Sequence, residues 1–157
     1  MQAIDLLLNR QSNPHLTSPA PSQDDLDKIL AAGLKVPDHA CLRPWRIIVM
    51  QNEGLNKLSD IFVSTLDESC DEAKREKTRK MPFRAPLVLA VVTRYQEHDK
   101  VPKSEQLITA GCSVHAMQMA AVALGYGAMW RTGALSYNSA VKQQLEIDDS
   151  NDLVGFL

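Results

Sequence analysis

Residues 107–124 read Leu107-Ile108-Thr109-Ala110-Gly111-Cys112-Ser113-Val114-His115-Ala116-Met117-Gln118-Met119-Ala120-Ala121-Val122-Ala123-Leu124, with no Asp, Glu, Lys or Arg. A helix from Ser104 to Leu124 therefore has no charged face and must be covered almost all round. Thr109, Gly111, Ser113, His115 and Gln118 make it too polar to cross a membrane. A chain of 157 residues has too much surface for its volume to wrap one helix completely. The stretch favours a homodimer with this helix near the interface over a helix central to a monomeric core.

Outward from that helix, the flanking segments read as an α+β chain of one domain, 1–157. Leu87–Thr93 (LVLAVVT) is apolar without alternation, the pattern of a strand covered on both faces. Arg46–Gln51 is a second strand, broken by Asn52-Glu53-Gly54. Leu55, Leu58, Ile61, Phe62 and Leu66 then follow at helical spacing. Residues 67–80 carry mixed charge and suit a solvated helix or a mobile flap. Gly125-Tyr126-Gly127 caps the long helix, and Ala128–Trp130 reads as a short extended piece. Asn138 or Ser139 caps a helix through Leu145, and Asp152–Leu157 ends the chain as a strand. Near the N-terminus, Ala3–Asn9 is a short apolar helix. Ser22 is an N-cap with Asp25 as its capping-box partner, and the helix it opens puts Leu26, Ile29, Leu30 and Gly33 on one face before Pro37 stops it.

Charge and motifs exclude more than they assign. With 17 Lys+Arg against 19 Asp+Glu, net charge −2 and pI about 6.1, nothing draws the chain to nucleic acid or to an anionic membrane. Cys41, Cys70 and Cys112 form no disulfide framework and have no metal-ligand spacing, which fits a reducing, cytoplasmic setting. No signal peptide opens the chain. There is no dinucleotide fingerprint after a strand, no phosphate loop, and none of the HExxH, CxxC or GxSxG motifs. What remains is a set of basic and hydroxyl residues at turns: Arg10 with Ser12, Lys35 with His39, and Arg131 with Thr132. A guanidinium beside a hydroxyl can hold a phosphate, yet each alone also suits an ordinary exposed surface. The loop Lys35–Trp45 (KVPDHACLRPW) is either a solvated connection or the wall of a site.

The order of segments resembles the FMN-dependent nitroreductase family. Leu6–Ser12 (LLLNRQS) is similar to that family's "RRS" opening. Ala31–His39 with Arg43-Pro44-Trp45-Arg46, then Phe83-Arg84-Ala85-Pro86 before a strand, and Ala110–Gly133 also match its segments. The resemblance implies an α+β homodimer with a mixed central sheet flanked by helices. It implies two FMN sites, each built from both subunits, and NADH or NADPH as co-substrate. Arg10, Gln11 and Ser12 match the segment that holds the FMN phosphate and ribityl chain. Arg131, Thr132 and Gly133 match a second FMN segment, and Lys35 and His39 match contacts to the other subunit's flavin. Ala121, Val122, Ala123, Leu124, Gly125 and Tyr126 match a stretch assigned to NAD(P). The implied reaction is reduction of a small nitroaromatic or quinone-type acceptor by hydride transfer through flavin N5, with no catalytic acid or base and no metal. A flavin-binding scaffold without turnover, or a flavin-dependent dehydrogenase of one metabolite, are the alternatives. Gln11 stands where the family often has a second Arg, and Lys35 keeps a charge without a guanidinium fork. The resemblance also implies a further strand end and a partner-embracing tail beyond Leu157, the last residue of this sequence.

Overall fold

The computed structural model describes residues 2–157. Its elements, in chain order, are helix α1 (Ala3–Asn9), α2 (Gln23–Gly33), strand β1 (Trp45–Gln51), α3 (Glu53–Ser64), α4 (Glu72–Arg79), β2 (Leu87–Thr93), α5 (Lys103–Ala123), α6 (Ala134–Tyr137), α7 (Ser139–Gln144) and β3 (Leu153–Phe156). Short 3₁₀ turns cover His39–Cys41 and Pro82–Arg84.

β2 organises the core. It lies between β1 and β3, and six of its seven residues are buried. Side chains alternate across a strand, so β2 feeds two layers. Leu89 and Val91 join Trp45 beneath α2 and α5, with Leu26, Ile29, Ala110, Val114 and Met117. Val88, Ala90 and Val92 join Met50 on the other face, with Leu55, Leu58, Phe62 and Val141. This is why the run shows no hydrophobic alternation.

The sheet differs from the mixed sheet implied by the family resemblance. Both pairings are antiparallel, with Gln51 opposite Leu87 and Val92 opposite Leu153. Each connection returns to the end of the sheet it left, so neighbouring strands reverse. A parallel pairing would require a crossover to the opposite end.

Caps follow the sequence. Ser22 Oγ accepts the Asp25 N–H, and Asn138 Oδ1 accepts those of Ala140 and Val141. Residues 67–80 resolve into the solvated-helix alternative: Asp71 caps α4 by accepting the Lys74 N–H at 2.7 Å. α5 closes with a paired αL cap, in which Tyr126 N–H donates to Ala121 O and Gly125 N–H to Val122 O, with Gly125 at φ 92°. Ala128–Trp130 forms no strand. Arg131 forms a backbone bridge to the sheet through Phe156.

α5 is not covered all round by this chain. Gln106, Ala110, Ser113, Val114, Met117, Gln118 and Ala121 face inward. Leu107, Ile108 (66% exposed) and Leu124 face out, as do Ile4, Leu7 and Leu8 (75%) on α1, a helix that itself packs against α5. Among the described residues no helix is long and apolar enough to cross a membrane.

Candidate functional site

Two groups of candidate residues form at opposite ends of α5. At its C-terminal end an extended arm follows α1. Arg10 closes that helix by donating its N–H to Leu6 O, and its Nη1 donates to Ser12 Oγ at 3.2 Å. The arm then lies along the segment after α5: Asn13 N–H donates to Ala128 O and Leu16 N–H to Arg84 O. A Cβ on Gly127 would stand 2.7 Å from Leu16 Cδ2, so the glycine permits this close contact. Arg131 Nη2 donates to Pro14 O at 3.3 Å. Its backbone exchanges hydrogen bonds with Phe156 at 2.7 and 2.8 Å, and Trp130 Nε1 donates to Val154 O. Thr132 follows, exposed, and Gly133 (φ 111°) caps α6.

A cavity of about 530 Å³ opens here, walled by Phe62, Trp130 and Phe156 and bordered by Arg84, Arg131 and Thr132. Among the described residues no carboxylate side chain lies within ion-pairing distance of Arg10, Arg84 or Arg131. A donor set of guanidiniums and hydroxyls with no opposing acid fits a phosphate, and the aromatic wall fits a planar ring. These residues therefore suit FMN by chemistry. Gln11 is exposed on the same arm.

The second group lies at the other end. α2 runs antiparallel along α5. Tyr126 Oη donates to Asp25 Oδ2 at 2.9 Å near its start, and Gly33 packs on Ser113 and Met117 midway. Beyond it, His39 Nδ1 lies 3.1 Å from Glu105 Oε2 in the first turn of α5. Lys35 falls between, exposed. α5 has 21 residues, about 30 Å at helical rise. The chain by itself thus does not bring Lys35 and His39 to Arg10 and Arg131.

The stretch Ala121–Tyr126 divides. Ala121 is in the core and Tyr126 is partly buried on Asp25, while Ala123, Leu124 and Gly125 are exposed. Ala121, Gly125 and Tyr126 border a smaller cavity of about 360 Å³. The open loop splits too: Trp45 is a core residue, whereas His39 faces outward. Asp25 is held below the usual carboxylate range by hydrogen bonds from Lys28 and then Tyr126. Among the described residues no cluster of three His, Cys, Asp or Glu could hold a metal.

Sequence reasoning missed Arg84 and Glu105. Arg84 had a signal, since it lies in the Phe83–Pro86 segment, but nothing there gives it a role. Glu105 had none, because its contact with His39 depends on the path of α2 along α5.

An α+β chain with an antiparallel sheet, a long uncharged helix and phosphate-suited arms at that helix's end defines the class. The chain belongs to the nitroreductase family, whose sequence model matches residues 7–157. It is 42% identical over 158 residues to "Putative NAD(P)H nitroreductase YdjA" of Escherichia coli (strain K12), covering 100% of this chain and 86% of that protein. A Haemophilus influenzae protein described in the same terms is 38% identical over 145 residues, covering 91% and 79%. Among solved structures, a nitroreductase-like family protein from Bacillus cereus superposes with TM-score 0.88 at 23% identity, over 99% of this chain and 83% of that one. A Desulfovibrio desulfuricans protein solved in complex with FMN superposes with TM-score 0.75 at 19% identity, over 98% and 81%. These last two likenesses concern the fold.

Proposed function

We propose that residues 1–157 form one domain that works as a homodimer, holds FMN at two sites shared between subunits, and uses NADH or NADPH to reduce small nitroaromatic or quinone-type acceptors. The observation that carries this is the split of the candidate residues between the two ends of α5. An isologous dimer with the two α5 helices crossed antiparallel sets one subunit's Lys35 and His39 beside the other's Arg10 and Arg131. The exposed apolar residues of α1 and α5 supply the surface to bury.

When bound, FMN supplies a carrier that accepts hydride at N5 from the nicotinamide and passes reducing equivalents to the acceptor, in alternation at one face. The chain's part is to bind and orient. Arg10 and Ser12 offer a fork and a hydroxyl to the phosphate from the arm whose Asn13 and Pro14 line the cavity, Arg131 and Thr132 border that cavity, and Gly133 gives the turn its positive φ. Lys35 or Arg10 stabilises negative charge that develops on reduction. No acid–base pair is needed for this transfer. Relatives named for NAD(P)H and a fold neighbour bound to FMN support it. A cytoplasmic setting fits three free cysteines.

The test is a visible absorption spectrum of the purified protein supplied with FMN, repeated after anaerobic NADH and after NADPH. Protein-bound flavin bands that bleach with either nucleotide are expected, followed by recolouring when a quinone is added. Absence of retained flavin overturns the reading. Flavin that no nucleotide reduces leaves a scaffold without turnover.

A further inference from the structure

The loop that carries His39 is stiff. Asp38 Oδ2 accepts the Arg43 N–H at 2.7 Å and the Asp38 carbonyl accepts that of Cys41 at 3.1 Å. Gln96 Nε2 donates to the Leu42 carbonyl. Ala40, Cys41 and Arg43 take φ values of 62°, 53° and 49°, a conformation non-glycine residues rarely adopt.

Among the described residues the imidazole itself has one partner, Glu105. A carboxylate only accepts hydrogen bonds, so Nδ1 carries the hydrogen in that contact. In either charge state of the ring, Nε2 is then the nitrogen left for a ligand. Glu105 sits in the first turn of α5, where the helix dipole favours a carboxylate. The two side chains are 57% and 49% exposed, and an exposed pair of this kind contributes little to stability. Its consequence is orientation.

We infer that Glu105 is a positioning residue: it fixes His39 with Nδ1 toward α5 and Nε2 outward, so that the ring meets the partner subunit's FMN in one tautomer and one orientation. This rests on the reading of His39 as an FMN contact across the dimer.

The experiment titrates FMN into flavin-free wild type, Glu105→Leu, Glu105→Gln, His39→Ala and the double variant His39→Ala/Glu105→Leu, following flavin fluorescence. Gln keeps a carbonyl acceptor for Nδ1–H and Leu does not. Glu105→Leu is expected to weaken FMN about tenfold, the value of one lost orienting hydrogen bond. Glu105→Gln should bind nearly as wild type does. Glu105→Leu should add nothing in the His39→Ala background, and its melting temperature should not move. Imidazole nitrogen NMR of the flavin-free protein should show His39 protonated at Nδ1 in wild type and redistributed in Glu105→Leu. Unchanged FMN affinity in Glu105→Leu overturns the inference, as does equal weakening with and without His39. FMN binding that His39→Ala leaves untouched instead overturns the reading of His39 beneath it.

Discussion

Ala40 and Cys41 are consecutive residues in the left-handed region, with Arg43 close behind. Each costs about 1 kcal/mol or more relative to glycine there. Ala40→Gly is therefore expected to hold or raise the melting temperature, by up to about 1 kcal/mol of stability, although glycine in ordinary structure destabilises. Gly155 is the opposite case. At φ 147° its Cβ would stand 2.5 Å from Trp130 Nε1 and 2.6 Å from Arg131 O, so no side chain fits between β3 and the Arg131 segment. Gly155→Ala should cost about 2 kcal/mol in chemical denaturation and weaken FMN as well, because Arg131 is anchored to Phe156 there. At this scale the sequence was partly legible. Arg10, Ser12 and Arg131 stand out as basic and hydroxyl residues at turns. Nothing in the local pattern separates Trp45, a core residue, from His39 six positions earlier, because burial of a loop residue is decided by what packs on it.

α5 was the most legible element: eighteen residues without charge state their own burial, and the Gly125 cap marks its end. What the pattern could not say is which side is covered by this chain and which is not. The charged stretch after α3 was open between helix and flap because its composition suits both; the Asp71 cap settles it. α4 buries little beyond Thr78, so the cap carries a large share of its order. Asp71→Ala should cost about 1 kcal/mol, seen as faster amide exchange confined to α4 with the core strands unaffected. The antiparallel sheet was not legible from strand patterns, since a buried run such as Leu87–Thr93 serves either pairing. The direction of each connection decides it.

For the whole molecule, acid is the expected weakness. Asp25 is lowered by hydrogen bonds from Lys28 and Tyr126, Asp67 by Ser69, and Asp148 by Ser150. Each folded-state pKa lies below the ordinary aspartate value of about 3.9, so the unfolded chain binds more protons in this window. Their stabilisation is complete above about pH 4 and is lost as pH falls through the lower folded values. Thermal melts from pH 5 to 2.5 should show a loss beginning near 4, smaller in Asp25→Asn. Assembly is the second whole-molecule matter. Ile108→Glu sets a charge in the exposed apolar stripe of α5 and should weaken self-association at least about a hundredfold. Sedimentation should then show monomers that also release FMN, if the site needs both subunits.

The shared site is tested most directly by subunit complementation. Arg10→Ala removes the phosphate fork from the arm, and His39→Ala removes the contact from the opposite end of α5. Each variant alone has two damaged sites per dimer and should bind FMN poorly. A hybrid dimer of the two has one doubly damaged site and one in which an intact Arg10 arm meets an intact His39. Tagged hybrids, purified after mixing and titrated with FMN, should recover one tight site per dimer. Hybrids that bind FMN no better than either parent would contradict a site built from two subunits.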